Sequence, residues 1–447
     1  MHYDLAVVGT GQGGKPLASA YAAAGKQVVV FERGAIGGTC VNVGCTPSKA
    51  FLASAHAAGR ARRAAGLHVH ADVRVDFPAV MDRVRGIIDD WRSSSEHKMG
   101  AENITLVRDE ARFEGAGALI AGGERYTANA IVLNTGCSAS HPPIPGLAGT
   151  PYLTNENVFD LTELPPRTIV IGGGYIGLEL GQGLARCGSA VTIVHTAERV
   201  LTNEETAASA ALERSLREDG VTFVMPARTT AVACDAGRFT VTLADGTELE
   251  AEALLVATGR TPNVPPGAVE AGLRLDKRGF IAIDDHFATN LPGVYAIGDC
   301  AGQPQFTHVS WEDYRRIAAI LAGDRSRTRA DRVLGYAIFT DPQVGRAGLT
   351  YEAAILAGYD ARCVSLPLED VARATEWNET NGFFRLVVDT KTDAILGATL
   401  VGYEAGELVH VFIAHMEAGG TWRTLERSVH IHPTYAEGLP SLARLLM

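Results

Sequence analysis

Asp4-Leu5-Ala6-Val7-Val8-Gly9-Thr10-Gly11-Gln12-Gly13-Gly14 decides the fold. Asp4 to Val8 reads as a buried strand, Gly9, Gly11 and Gly14 fit G-x-G-x-x-G, and an Ala-rich helix runs on to Ala24. After Gly25 a second strand, Val28 to Phe31, ends on Glu32, which stands 18 residues beyond Gly14. A glycine fingerprint alone says little. With a strand before it, a helix after it and an acid at this distance, it marks a dinucleotide-binding βαβ unit. Gly9 and Gly11 let the backbone reach a pyrophosphate at the positive end of the helix, and Glu32 is placed to bond a ribose hydroxyl.

The pattern returns at a constant offset. Thr168 to Ile171 precedes Gly172, Gly174 and Gly177, a helix runs to Arg186, and the strand from Val191 ends on His195. Gly172, Gly188 and His195 each stand 163 residues after Gly9, Gly25 and Glu32. Two such units are far more specific than one and predict an α/β protein with two Rossmann-like domains. They differ at one telling position: His195 replaces the acid, with Arg199 four residues on. A carboxylate there favours the free 2′-hydroxyl of NADH, whereas a neutral or cationic group tolerates the 2′-phosphate of NADPH. The expectation leans to NADPH, with NADH possible.

Between the two units lies Gly37-Gly38-Thr39-Cys40-Val41-Asn42-Val43-Gly44-Cys45-Thr46-Pro47-Ser48-Lys49. A disulfide needs α-carbons within about 7 Å, and a helical turn of about 5.4 Å meets that limit. Gly44 frees the backbone just before Cys45, and Pro47 suits an early helical position. Cys45 then sits at the positive end of a helix, which favours a thiolate. This describes a redox-active pair more than a staple. A zinc half-site is the competing use, but zinc wants four ligands in recognisable spacing. Cys137, Cys187, Cys234, Cys300 and Cys363 are scattered singly, so no metal site is expected.

The remaining chain supplies the frame. Phe77 to Met99 is a charged helix with apolar residues at helical spacing, best read as a packing helix. Short strands follow at 105–107, 111–113 and 118–120, then Ala130 to Gly136 and the Pro-rich boundary His141 to Gly146. Leu254 to Asn263 closes the second unit. Gly293 to Asp299 is a strand with an acid at its carboxyl end, where α/β folds bind ligands. From about Arg332 strands and helices mix, including a helix from Glu407 to Ala418. A net charge of −11 without a basic stripe argues against nucleic acid. With no apolar run of membrane length and a start directly in a strand, a soluble cytoplasmic protein is expected.

Together these motifs resemble the class I pyridine nucleotide–disulfide oxidoreductases, the flavoprotein family of glutathione reductase, dihydrolipoamide dehydrogenase and mercuric reductase. GGTCVNVGCTPSK carries the likeness, and ATGRTPN, YAIGD and HPTYAE support it in the right order along the whole chain. Gln305 to Ser310, Asp313-Tyr314-Arg315 and Phe339 to Gly345 look most similar to the mercuric-reductase-like branch that includes a reactive-chlorine-resistance flavoprotein, a hypothiocyanous acid reductase. The resemblance implies an FAD-binding domain over 1–148 and 263–330, an NAD(P)-binding domain over 149–262, and an α+β dimerisation domain over 331–447. Gly9, Gly11, Gly14, Glu32, Arg33, Gly38, Thr39, Cys45, Lys49, Ala111, Thr135, Gly136, Asp299 and Thr307 would hold FAD. Gly172, Gly174, Tyr175, Ile176, Gly177, Glu179, His195, Arg199 and Gly259 would hold NAD(P)H, with Tyr175 covering the nicotinamide pocket.

The resemblance also implies the chemistry. Lys49 and Glu179 would pair beside the flavin, Cys45 would face it, and Cys40 would exchange with substrate. His432 and Glu437 would form an acid–base pair reaching the disulfide of the other subunit, hence a homodimer acting on a small disulfide or oxidised-sulfur substrate. Reduction of hypothiocyanous acid, Hg(II) or Cu(II) by the same dithiol is an alternative. No cysteine follows Cys363, where mercuric reductase has a C-terminal pair, which argues against efficient mercury reduction. A redox sensor without turnover is the reading from another class, and the complete acid–base pair speaks against it. The role of Trp311, Asp313 and Tyr314 is left open.

Overall fold

β1 (His2–Val8) goes straight to the centre of a sheet, and its Leu5, Ala6 and Val7 are no more than 1% exposed. Burying a leucine or valine side chain in this way contributes about 1.5–3 kcal/mol. The computed structural model describes all of residues 1–447. After β1 come α1 (Gly14–Ala23), β2 (Val28–Phe31), α2 (Gly38–Asn42), α3 (Cys45–Arg63) and α4 (Phe77–Met99). The strands β3 (Ile104–Val107), β4 (Arg112–Phe113), β5 (Ala118–Ala121), β6 (Glu124–Leu133) and β7 (Cys137–Ala139) follow. β3, β2, β1 and β6 lie side by side and parallel, with β5 and β4 antiparallel beyond. α3 stops at Arg63 and continues into a short 3-10 turn, Ala64–Leu67.

The second unit repeats the plan with β8 (Arg167–Ile171), α5 (Tyr175–Cys187), β9 (Ala190–Val194), α6 (Thr206–Glu218) and β10 (Thr222–Val224). A three-stranded antiparallel sheet, β11 (Thr229–Asp235), β12 (Arg238–Leu243) and β13 (Glu248–Ala251), leads to β14 (Ala253–Val256). The parallel order is β10-β9-β8-β14. β15 (Arg260–Pro262) pairs with β7, and β16 (Val294–Ala296) rejoins the first sheet beside β6. α7 (Thr307–Leu321) follows.

The C-terminal part is a five-stranded antiparallel sheet with helices around it. Its elements are β17 (Gly335–Ile338), β18 (Gln343–Gly348), α8 (Tyr351–Leu356), β19 (Ala361–Pro367), α9 (Ala372–Glu376), β20 (Phe383–Asp389), β21 (Ile395–Gly402), α10 (Ala405–Leu408), α11 (His410–Glu417), α12 (Trp422–Glu426) and α13 (Gly438–Arg444). The helix expected from Glu407 starts earlier and divides at Val409, where the Phe412 N–H bonds only three residues back. One apolar cluster joins all three parts, with Phe51 of α3, Leu184 of α5 and Val344 of β18 in a common core. That shared core fixes the glycine loops, the cysteine pair and the C-terminal sheet relative to one another. No helix is long and apolar enough to cross a membrane.

Candidate active site

The two glycine loops are built alike. Gly9 and Gly172 have φ of 102° and 120°, a conformation that L side chains rarely adopt. A Cβ on Gly14 or Gly177 would lie 2.2 Å from the carbonyl oxygen of Gly9 or Gly172. The third glycine thus closes the helix onto the strand, and neither Gly14 nor Gly177 lines either of the two cavities described below. Asn134 completes the first loop, accepting from the Gly14 N–H at 2.8 Å and donating to the Ile297 carbonyl at 3.1 Å.

A cavity of about 800 Å³ runs from the first loop to the cysteine pair. At one end Glu32 accepts from the Thr10 N–H (2.9 Å), the Thr10 hydroxyl (2.6 Å) and the Gly34 N–H (2.9 Å), with Arg33 beside it on Glu110. Gly9, Gly11, Gly38 and Thr39 form the floor, and Ala111, Thr135 and Gly136 a wall. Asp299 sits where β16 ends, paired with Arg260 at 2.5 Å, and Arg260 also donates to the Cys137 carbonyl. Sequence reading missed Arg260 and Asn134. Arg260 lay in plain view within ATGRTPN, but its partner Asp299 stands 39 residues on, in the turn after β16.

At the other end stand Cys40, Cys45, Lys49 and Thr307. Cys45 is the first residue of α3 and open to the cavity. Its sulfur is 3.0 Å from the Thr307 hydroxyl. A hydrogen bond from Cys40 is the main reason its pKa falls to about 6, with Thr307 and Lys49 adding to the effect against burial. The same bond and burial push Cys40 upward. Cys45 therefore carries the negative charge and Cys40 the proton. Lys49 bonds Glu179 at 2.8 Å, and the other Glu179 oxygen accepts from the Phe339 N–H at 2.8 Å.

Tyr175 lines both this cavity and a second groove of about 320 Å³. Burial raises its hydroxyl to about 12, so it stays protonated. Gly172, Gly174, Ile176, His195 and Gly259 line the groove. His195 accepts from the Gly173 N–H at 3.2 Å, and burial lowers its pKa, which keeps the ring neutral. Arg199 does not reach the groove. Its guanidinium is held by the carbonyls of Leu201, Thr202 and Glu204 and by the Ser209 hydroxyl, because the turn after β9 needs those acceptors capped. The lean to NADPH loses its cationic half.

His432 and Glu437 are bonded at 2.7 Å but lie outside the cavity of their own chain. His432 is 74% exposed, and the apolar Val429 and Ile431 near it are 98% and 80% exposed. Asp313, the open question on α7, is fully buried and accepts from the Gly298 N–H at 2.9 Å while pairing with Arg332. It therefore holds the turn that presents Asp299. Trp311 and Tyr314 meet edge to face, with Arg315 over the indole.

Residues 3–313 match the family model described as pyridine nucleotide-disulphide oxidoreductase, and residues 335–443 match that family's dimerisation domain. The chain belongs to this family. Its members are FAD-dependent and draw electrons from NAD(P)H, and the chain is an NAD(P)H-dependent flavoprotein disulfide oxidoreductase. It is 33% identical to a mercuric reductase of Bacillus cereus over 98% of this chain and 70% of that one. It is also 33% identical to a dihydrolipoyl dehydrogenase of Thermus scotoductus, covering 99% and 97%. A probable pyridine nucleotide-disulfide oxidoreductase, RclA of Escherichia coli, is 31% identical over 99% of both chains. The solved structure of a Cu(II) complex of that HOCl-induced flavoprotein disulfide reductase superposes with a TM-score of 0.91 at 30% identity, over 100% of both chains.

Proposed function

We propose that the chain reduces a small disulfide or another electrophilic sulfur compound through the Cys40–Cys45 pair, in a homodimer whose exit site is shared. The observation that carries this reading is the placement of Cys45 as the first residue of α3, 3.0 Å from the Thr307 hydroxyl, with Cys40 and Lys49 lining the same cavity. Residues 1–148 and 263–330 are assigned to FAD, 149–262 to NAD(P)H and 331–447 to dimerisation.

The cavity suits FAD. It runs from an acid at the end of β2, past a glycine loop at the start of α1, to the dithiol and the Lys49–Glu179 pair. Glu32 and Arg33 would hold the adenosine end, the loop of Gly9 and Gly11 the pyrophosphate, Asp299 the ribityl hydroxyls, and Lys49 and Thr307 the ring. When bound, FAD supplies the two-electron link between NAD(P)H and the Cys40–Cys45 disulfide.

The chain's own residues do the rest. With the pair reduced, Cys40 gives up its proton and attacks the substrate sulfur, forming a mixed disulfide and expelling the first leaving group. The Cys45 thiolate attacks Cys40, expels the second thiolate and restores the Cys40–Cys45 disulfide. His432 of the other protomer takes the Cys40 proton and returns it to the departing thiolate, and Glu437 orients its ring. Two thiols leave for each NAD(P)H and proton consumed. The thiolate balance supports Cys45 as the stored charge and Cys40 as the exchanging thiol.

Anaerobic reduction by NAD(P)H followed by thiol counting should expose two new thiols per protomer, and Cys40→Ser should lose turnover with every disulfide. Undiminished turnover in that variant would rule out the dithiol route. Hypothiocyanous acid fits the same attack as a sulfur electrophile. Cu(II) and Hg(II) are the second reading, favoured by two adjacent thiols and by the Cu(II) complex of the structural relative. A steady-state panel of oxidised thiols, hypothiocyanous acid, Cu(II) and Hg(II), run with each nicotinamide, separates them.

A further inference from the structure

His56 of α3 has no part in the chemistry above, yet both its ring nitrogens are engaged. Arg186 Nη1 lies 2.8 Å from Nδ1, and Nε2 lies 3.1 Å from the Phe339 carbonyl oxygen. A guanidinium donates and never accepts, so Nδ1 carries the lone pair and Nε2 the proton. Burial, with Arg186 beside it, lowers the His56 pKa against the pull of Asp341 and keeps the ring neutral.

Arg186 is itself buried and paired. It is 1% exposed, bonds Asp219 and Asp341 at 2.8 Å each, and lies against Gly59, where a Cβ would come within 2.7 Å of its guanidinium carbon. Asp341 is held in turn by Arg63 at 2.6 Å, and its backbone exchanges hydrogen bonds with the Gln182 amide. Phe339 meets both members of the cavity ion pair. Its N–H donates to Glu179, and its ring lies 4.6 Å below the Lys49 nitrogen.

We propose that His56 is a positioning residue for the Lys49–Glu179 pair, acting through Phe339. The Nε2–H fixes the Phe339 carbonyl, the Phe339 N–H fixes one oxygen of Glu179, and the other oxygen aims Lys49 into the cavity. This rests on the reading that Lys49 and Glu179 serve the half-reaction with NAD(P)H.

The test compares His56→Phe, which keeps the ring volume but no polar atom, with His56→Gln, which keeps a donor and an acceptor. In rapid mixing of holoenzyme with NADPH, His56→Phe should be reduced about tenfold more slowly, the scale of a small misplacement. His56→Gln should recover most of that rate, and reoxidation of either prereduced variant by a disulfide should be unchanged. Crystal structures should show the Lys49–Glu179 hydrogen bond broken in His56→Phe and kept in His56→Gln. A His56→Phe protein with that bond in place and a normal rate overturns the proposal. So does one slowed equally in both half-reactions, or a glutamine variant with no recovery. Lys49→Met tells the two readings apart. A normal reduction rate in it sinks the ion-pair reading itself, whereas a slow Lys49→Met beside a normal His56→Phe sinks only the role of His56.

Discussion

Lys49–Glu179 and His432–Glu437 are both a nitrogen resting on a carboxylate, at 2.8 and 2.7 Å, yet their settings are opposite. The first is enclosed: Glu179 is 4% exposed, and every polar atom of its carboxylate is matched within the chain. The second lies on the surface beside bare apolar side chains. An exposed ion pair adds about 0–1 kcal/mol to stability, so the second pair is poorly explained as a fastening. On the proposed reading, the entry side of the electron route would be complete in one protomer, while the exit side would need a residue pair from its partner.

That contrast can be broken from either side. The largest effect should come from Cys40→Ser, with disulfide turnover falling by about 10³-fold or more while NADPH still reduces the protein in single turnover. Next is His432→Gln, expected to lower acceptor turnover by about 10²-fold with the NADPH half-reaction unchanged. Were both halves slowed alike, the division into an entry and an exit side would fail. Glu437→Gln should cost about tenfold in the same steady-state assay, because the imidazole remains but loses its orientation. Val429→Asp should shift the protein toward monomer in analytical ultracentrifugation, since in the proposed homodimer a charge on this bare apolar side chain would oppose its burial.

The smallest effect is a titration. Cys45 has its pKa lowered to about 6, so its thiolate persists above that value and is lost as pH falls through it. Thiolate absorbance of the reduced protein in the ultraviolet should therefore decline around pH 6 in wild type. In Cys40→Ala, which removes the principal hydrogen-bond donor, the decline should move to higher pH. No change between the two would remove Cys40 as the main cause.

Both glycine loops, the strands around them and the helix at Phe77–Met99 were legible because their causes are local. Glycine spacing, apolar runs and an acid at a strand end all lie within one βαβ unit. Lys49 with Glu179 was legible only through resemblance, for the partners stand 130 residues apart and nothing near either names the other. Arg199 misled for a related reason. An arginine just after a strand looks the same in sequence whether it turns to a ligand or caps carbonyls, and here Leu201, Thr202 and Glu204 claim it. Arg260 and His56 were out of reach because their partners, Asp299 and Phe339, come from parts of the chain folded back much later.

Val429 and Ile431, almost wholly bare beside His432, carry one more consequence. On the reading above, a lone subunit can be charged with electrons but has nowhere to deliver them. Catalytic output would then climb more steeply than copy number when the protein is scarce, and level to simple proportion once subunits are abundant. Scarcity would silence the protein before any substrate ran short.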